Sequence, residues 1–190
     1  TARPAYIEKV LEFVDCSKLK PLKMVINAGN GAAGPTLAAI NKKLKEKGVK
    51  TNFVFLHQNP DPTFPNGIPN PILIENHHYT ADAVLAQQAD FGVAFDGDFD
   101  RCFFFDRNGV FVPGEVMVTL IGEFFSRKSF NEKIVHDPRL VFGVRSMCEQ
   151  CGAEAVQAPT GHLFVKKAMR DSNAVYGGEV SAHHYFRDFF

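Results

Sequence analysis

Two apolar rhythms alternate along the chain. Short unbroken apolar runs stop at turns rich in Gly, Asn or Asp, and between them apolar positions recur three and four residues apart. Residues 22–26 are the first run, ending in Asn27-Ala28-Gly29-Asn30-Gly31-Ala32-Ala33-Gly34-Pro35. Leu37, Ile40 and Leu44 follow at helical spacing, with Lys42 to Lys47 on the polar face and Gly48 as a stop. The pattern predicts strand, glycine-rich turn and helix. A second strand is expected over 49–56, a helix over 80–88 and a strand over 89–95. A hairpin over 102–105 and 110–112 turns on Asp106-Arg107-Asn108-Gly109, whose last pair is a strong turn signal.

After Pro113-Gly114 the rhythm restarts. Val116, Leu120 and Phe124 lie four apart on one helix face. Strands over 133–136, 153–157 and 174–176 then alternate with helices over 139–149 and 163–170. Such alternation predicts an α/β fold with mixed, largely parallel sheets. The restart predicts two domains, residues 1–112 and 113–190, the second cut before its last elements. Between the strand over 49–56 and the helix over 80–88, residues 57–71 hold five prolines. They fit neither a helix nor a central strand, and a loop this long is usually functional or a lid.

Composition changes this picture little. Apolar residues make up 45% and charged residues 22% of 190, and formal net charge is zero, so nothing argues for nucleic acid or an anionic membrane as partner. Nineteen Phe with no Trp is unusual, but Phe mostly fills cores. Four Cys with no secretory leader and no long apolar span favour a reduced, cytoplasmic protein. Cys148-Glu149-Gln150-Cys151 lacks a second pair at zinc-finger spacing and falls inside the expected helix, so it reads as structural thiols. His77-His78 reads as a helix start rather than a metal site.

The chemistry concentrates in Asp96-Gly97-Asp98-Phe99-Asp100-Arg101. Alternate residues share a side in an extended backbone, so Asp96, Asp98 and Asp100 can converge. Three carboxylates make a hard oxygen site suited to Mg²⁺, which would offset their repulsion; Arg101 adds a planar fork for a phosphate. The stretch would lie at the carboxyl end of a strand, where open α/β sheets bind ligands. An EF-hand fails, since positions six and twelve would be Arg101 and Arg107. A phosphatase using Asp96 as nucleophile usually wants a small hydroxyl residue at Asp100 and the domain's first strand. Neither condition fits.

Glu179, Ser181 and His183 alternate in the same way within Gly177-Gly178-Glu179-Val180-Ser181-Ala182-His183. Together they can grip adjacent sugar hydroxyls, or form a polar loop with a capping Ser. Pro159-Thr160-Gly161-His162 opens a helix, where exposed amides and His162 suit a phosphate or Thr160 acts as a cap. Arg139, in His136-Asp137-Pro138-Arg139, reaches an anion or is a surface charge. The glycines of 27–34 lack a Walker motif, and tight packing accounts for them at least as well as an anion site. Ser181 lacks the G-x-S-x-G elbow.

These stretches resemble the α-D-phosphohexomutases. Asp96 to Arg101 is similar to their metal loop, usually DGDGDR. Gly178 to His183 resembles their sugar-specificity loop, GEMSGH or GEMSAH, and Thr160-Gly161-His162 their TGH segment, in the same order over essentially the whole chain. The wording of 66–71 and 177–190 resembles the phosphomannomutase/phosphoglucomutase branch. The resemblance implies an enzyme interconverting mannose 6-phosphate and mannose 1-phosphate through a phosphoserine and a bisphosphorylated hexose. It implies Mg²⁺ on Asp96, Asp98 and Asp100, and Arg101 beside the transferring phosphate. It implies the hexose hydroxyls on Glu179, Ser181 and His183, and assistance from Arg139 and His162. Arg139 stands where many relatives have Lys. Phe99 replaces the second Gly of the metal loop and Val180 replaces Met. Four domains are implied; the N-terminal domain with the serine and the C-terminal phosphate clamp are missing here. This stretch alone is therefore expected to be inactive. A phosphoglucomutase of the same family and a non-catalytic sugar-phosphate-binding module are the alternatives.

Overall fold

The run Lys23–Asn27 (β1) shows why the sheets are sandwiched. Val25 and Ile26 are adjacent, point to opposite faces, and are both buried. A strand buried on both sides needs helices on both sides. The structure, a computed structural model, describes residues 2–189, and the chain divides into two compact units, 1–111 and 112–190.

The first unit runs α1 (Arg3–Glu12), β1, α2 (Ala33–Glu46), β2 (Asn52–Leu56), α3 (His77–Gln87), β3 (Phe91–Phe95), β4 (Cys102–Phe105) and β5 (Phe111–Val112). Its sheet order is β2-β1-β3-β4-β5. β1 pairs in parallel with β2 and β3, whereas β4 returns antiparallel to β3 with Phe95 opposite Cys102. On one face Val25, Ala94 and Phe105 pack with Val84 of α3; on the other Ile26, Val93 and Phe95 pack with Ala33 and Leu37 of α2.

The second unit repeats the plan. Its elements are α4 (Gly114–Ser126), β6 (Lys133–His136), α5 (Val141–Cys151), β7 (Glu154–Gln157), α6 (His162–Ser172), β8 (Tyr176–Gly178) and β9 (His184–Phe186). The order is β7-β6-β8-β9, with β6 parallel to β7 and β8, and β9 antiparallel to β8. Ile134 faces the cluster under α4 and α5, and its neighbour Val135 the cluster under α6.

The outcome departs from the pattern in places. Val116, Leu120 and Phe124 form the outward face of α4, each more than half exposed. The inward stripe is Gly114, Val118, Gly122 and Ser126. These small residues let the helix sit close to the sheet: a Cβ on Gly122 would lie 2.8 Å from the Met147 methyl. Val116, Leu120 and Phe124 thus share one face, as their spacing predicts, and that face is turned outward, whereas Ile121 and Phe125 pack against the core cluster. α1 and β9 had no clear signal, and α3 begins at His77, whose ring stacks on Phe111 at 4.3 Å. Gly161 is the N-cap of α6 with no side-chain cap, so the Thr160 cap does not form. Gly48, at φ +78°, does follow α2 as its stop. Cys148 and Cys151 are free on α5, and burial, then the Cys151 charge, push the Cys148 thiol up to about 11. Among the described residues no helix is long and apolar enough to cross a membrane.

The glycines of the β1–α2 turn are packing glycines. A Cβ on Gly31 would lie 2.5 Å from the Gly97 carbonyl oxygen, and one on Gly34 would lie 1.8 Å from that of Gln58. The proline-rich loop is tied to this turn through Asn30: its N–H donates to His57 O, its carbonyl accepts from Asp61 N, and its side-chain oxygen accepts from Asn66. Gly34→Ala in α2 is thus predicted to destabilise by about 2 kcal/mol or more, read from chemical denaturation, because backbone must move. Ordinary helix propensity would favour Ala by up to about 1 kcal/mol, so the sign decides.

Candidate functional site

All the chemical stretches lie on the carboxyl edges of the parallel strands. In the first unit the six residues 96–101 join β3 to antiparallel β4. Asp96, first in the loop, is 1% exposed. Its Oδ1 accepts from the Arg101 amide at 3.1 Å and its Oδ2 from Arg101 Nε at 2.6 Å. Burial alone would push this carboxyl up; the Arg101 amide and guanidinium and the Asp100 side chain outweigh it and hold the pKa below the usual carboxylate value. Asp98 and Asp100 are exposed, and one carboxylate oxygen from each of the three lies within 4.8 Å of the others. The Asp100 charge, and then Asp96, push Asp98 up. The cause is crowding of like charge, which a bound cation would relieve. The donor set, three hard oxygens at one point, fits a divalent cation such as Mg²⁺. Among the described residues it is the sole group of three His, Cys, Asp or Glu so arranged. Beneath it, burial and then the Asp96 charge push the Cys102 thiol up to about 12, which makes a thiolate nucleophile there unavailable at neutral pH.

Phe99 takes a left-handed conformation, φ +69°. Its ring packs edge-on against Phe95, centroids 5.0 Å apart, in the cluster with Ile26 and Val93. The side chain points into the core rather than over the acidic group.

In the second unit residues 179–183 join β8 to antiparallel β9. Glu179, again first, is 3% exposed. Tyr185 Oη donates to its Oε1 at 2.7 Å, and Ser181 Oγ approaches its Oε2 at 3.5 Å. Ser181 Oγ and His183 Nδ1 are 2.9 Å apart. Glu179, Ser181 and His183 thus form one cluster. Neighbouring His184 is different: burial, then the His183 charge, hold its pKa at about 4, and it bonds Tyr176 Oη through Nδ1 at 2.7 Å.

Arg139 follows β6 and is half exposed. Its Nη2 lies 2.8 Å from Oδ2 of fully buried Asp137, which also accepts from the Val180 amide. His162 opens α6, exposed, on the same strand edge; among the described residues no hydrogen bond ties it to the cluster. Asp137 and Tyr185 are the polar residues missed in the sequence. Their contacts span a turn and a strand pair, and nothing local marks them.

Known proteins resemble the chain throughout. The family described as phosphoglucomutase/phosphomannomutase, alpha/beta/alpha domain II, matches residues 4–109, and its domain III matches residues 113–190. A phosphomannomutase of Salmonella typhimurium strain LT2 is 51% identical over 187 residues, covering 98% of this chain and 41% of that protein. A Xanthomonas campestris protein named for phosphohexose mutases is 50% identical over 189 residues, again 41% of its length. The crystal structure of a phosphoglucomutase/phosphomannomutase family protein from Burkholderia thailandensis superposes with a TM-score of 0.87 at 30% identity, covering all of this chain and 40% of that one. The chain therefore spans about two-fifths of the length of these relatives.

The strain at Phe99 can be separated from its packing. Phe99→Gly is expected to be more stable than Phe99→Ala by about 1 kcal/mol in urea denaturation, since both lose the ring but only glycine adopts φ +69° without strain. Equal stabilities would show that the left-handed conformation costs nothing here.

Proposed function

The chain belongs to the phosphoglucomutase/phosphomannomutase family, and from that premise we propose that it is the metal- and sugar-binding part of a Mg²⁺-dependent phosphomannomutase. The reaction interconverts mannose 6-phosphate and mannose 1-phosphate through a phosphoserine and a bisphosphorylated hexose, with the serine and the distal phosphate clamp supplied by other parts of the protein. One observation supports this above the rest: three carboxylates converge beside a guanidinium at a strand's carboxyl end.

In this reading Asp96, Asp98 and Asp100 hold Mg²⁺, which when bound supplies positive charge that lowers the cost of phosphoryl transfer. Arg101 spends its Nε on Asp96 and turns its remaining N–H groups to a phosphate oxygen. The low pKa of Asp96 keeps that pair ionised and the guanidinium oriented. Ser181 both donates and accepts, Glu179 only accepts, and His183 does either according to its tautomer. That mixture suits neighbouring hexose hydroxyls, which are both donors and acceptors. Arg139 contributes positive charge for a phosphate, and His162 moves or holds a proton near the sugar.

The metal loop makes a crossed prediction. A carboxyl whose folded pKa is raised stabilises the fold at low pH and loses that contribution as pH rises through its folded value. At neutral pH without metal, Asp98→Asn should therefore raise the melting temperature. Millimolar Mg²⁺ should raise the melting temperature of the natural chain and leave Asp98→Asn nearly unmoved. Lowering pH through the raised Asp98 pKa should erase the Mg²⁺ effect. In the full-length protein, the same variant should lower kcat/KM for mannose 1-phosphate at least about a hundredfold in a coupled assay. An equal Mg²⁺ shift in both proteins would defeat the metal assignment.

A further inference from the structure

Asp137 is a fully buried carboxylate that faces no solvent, and its partners come from two places. Its Oδ1 accepts from the Arg139 amide at 2.8 Å and Arg139 Nε at 3.3 Å. Its Oδ2 accepts from Arg139 Nη2 at 2.8 Å and from the Val180 amide at 3.0 Å, 43 residues along the chain. Four donors satisfy both oxygens, as a buried charge requires. Burial would raise this carboxyl, but the Arg139 side chain and the Val180 and Arg139 amides outweigh it and keep it ionised.

Two features point beyond packing. The contact to Arg139 uses Nε and Nη2 together, a fork that fixes the plane of the guanidinium as a single bond could not. The contact to Val180 holds the second residue of the 179–183 loop, whose carbonyl oxygen lies where a Cβ on Gly114 would be only 2.2 Å away. The Val180 peptide is thus pinned at its N–H and confined at its C=O. A buried ion pair is weak evidence for stability as such, since apolar side chains of similar volume usually do as well. A buried charge that orients groups on two elements is an arrangement for preorganisation.

We propose that Asp137 is a positioning residue that sets the Arg139 guanidinium and the Glu179–Ser181–His183 cluster in one register, so that phosphate and hydroxyl recognition act as a single unit. This rests on the hexose-phosphate reading above. Asp137 itself touches no ligand. Losing its charge removes the fork from Arg139 and turns an acceptor of the Val180 amide into a donor in one amide orientation. Both recognition elements then loosen together.

The test is a double-mutant cycle on the full-length protein, with mannose 1-phosphate affinity read by calorimetry and exchange of the Val180 amide by hydrogen exchange. Asp137→Asn and Arg139→Ala are each expected to weaken binding by about tenfold. The double variant should be little weaker than the worse single variant, within about twofold. Val180 exchange should speed in Asp137→Asn and change less in Arg139→Ala. Multiplying effects in the double variant, or a melting loss in Asp137→Asn with natural affinity, would overturn the role. Should Asp137→Asn fail to fold, Arg139→Lys carries the test: it keeps the charge but loses the fork. A loss of about fivefold or more is expected there, and natural affinity would overturn the role. No binding by the natural protein would sink the hexose-phosphate reading and this role with it. Natural binding that Asp137→Asn leaves intact sinks the role alone.

Discussion

A carboxylate buried at the end of the third strand organises each unit. Asp96 follows β3 and Glu179 follows β8. In both units the fourth strand runs back antiparallel, so the chain must reverse at that carboxylate. Both reversals share one backbone device. The carbonyl of the first residue accepts from the amide three residues on, Phe99 to Asp96 and Ala182 to Glu179. That fourth residue is left-handed in each, at φ +69° and +66°. A buried carboxylate without partners would be too costly to keep ionised, so each has donors close by: Arg101 for Asp96, and Ser181 of the loop with Tyr185 of β9 for Glu179.

With the first residue buried, the loop's later odd positions turn outward, and their chemistry sets each loop apart. In one they are Asp98 and Asp100, which gather negative charge that Arg101 balances only in part. In the other they are Ser181 and His183, which hydrogen-bond each other and, with Glu179, leave a cluster able to donate and accept. One scaffold thereby carries three converging carboxylates in one unit and a Glu–Ser–His cluster in the other. The parallel strands contribute the rest of each edge. The glycine turn after β1 packs beneath the acidic loop, with the Ala32 amide donating to the Gly97 carbonyl, and the turn after β6 holds the other loop through Asp137.

Much of this was legible because it is local. Alternating carboxylates, alternating Glu, Ser and His, and apolar runs ending in glycine all announce themselves within a few residues. The sheet's parallel core followed from the alternation of strands and helices. What escaped depended on distance or on size. β9 is three residues long, and its pairing with β8 turns what reads as an open loop into a hairpin connection. Asp137 looks like an ordinary start to a helix until the Val180 amide, far along the chain, is found on it. In α4 close approach to the sheet selects Gly114, Val118, Gly122 and Ser126 for the fully buried stripe, Ile121 and Phe125 pack beside it against the core, and Val116, Leu120 and Phe124 stay outside.

Phe99 shows how the acidic loop holds its shape. Where the family pattern has glycine, freedom of the backbone would let the loop form with little strain. Here a left-handed phenylalanine is retained, at a cost of order 1 kcal/mol, and the ring's contacts with Phe95 and its neighbours offset that cost. The conformation is therefore imposed from the hydrophobic core beneath rather than permitted by the loop itself. A loop held from below cannot easily splay its carboxylates to escape their repulsion, and the raised pKa of Asp98 records the repulsion that remains. Folding has already brought the ligands together and met that cost. In the proposed reading a cation gains the full relief of the crowding without first having to order the loop, and the same aromatic contact that stiffens the backbone becomes part of what makes the metal site strong.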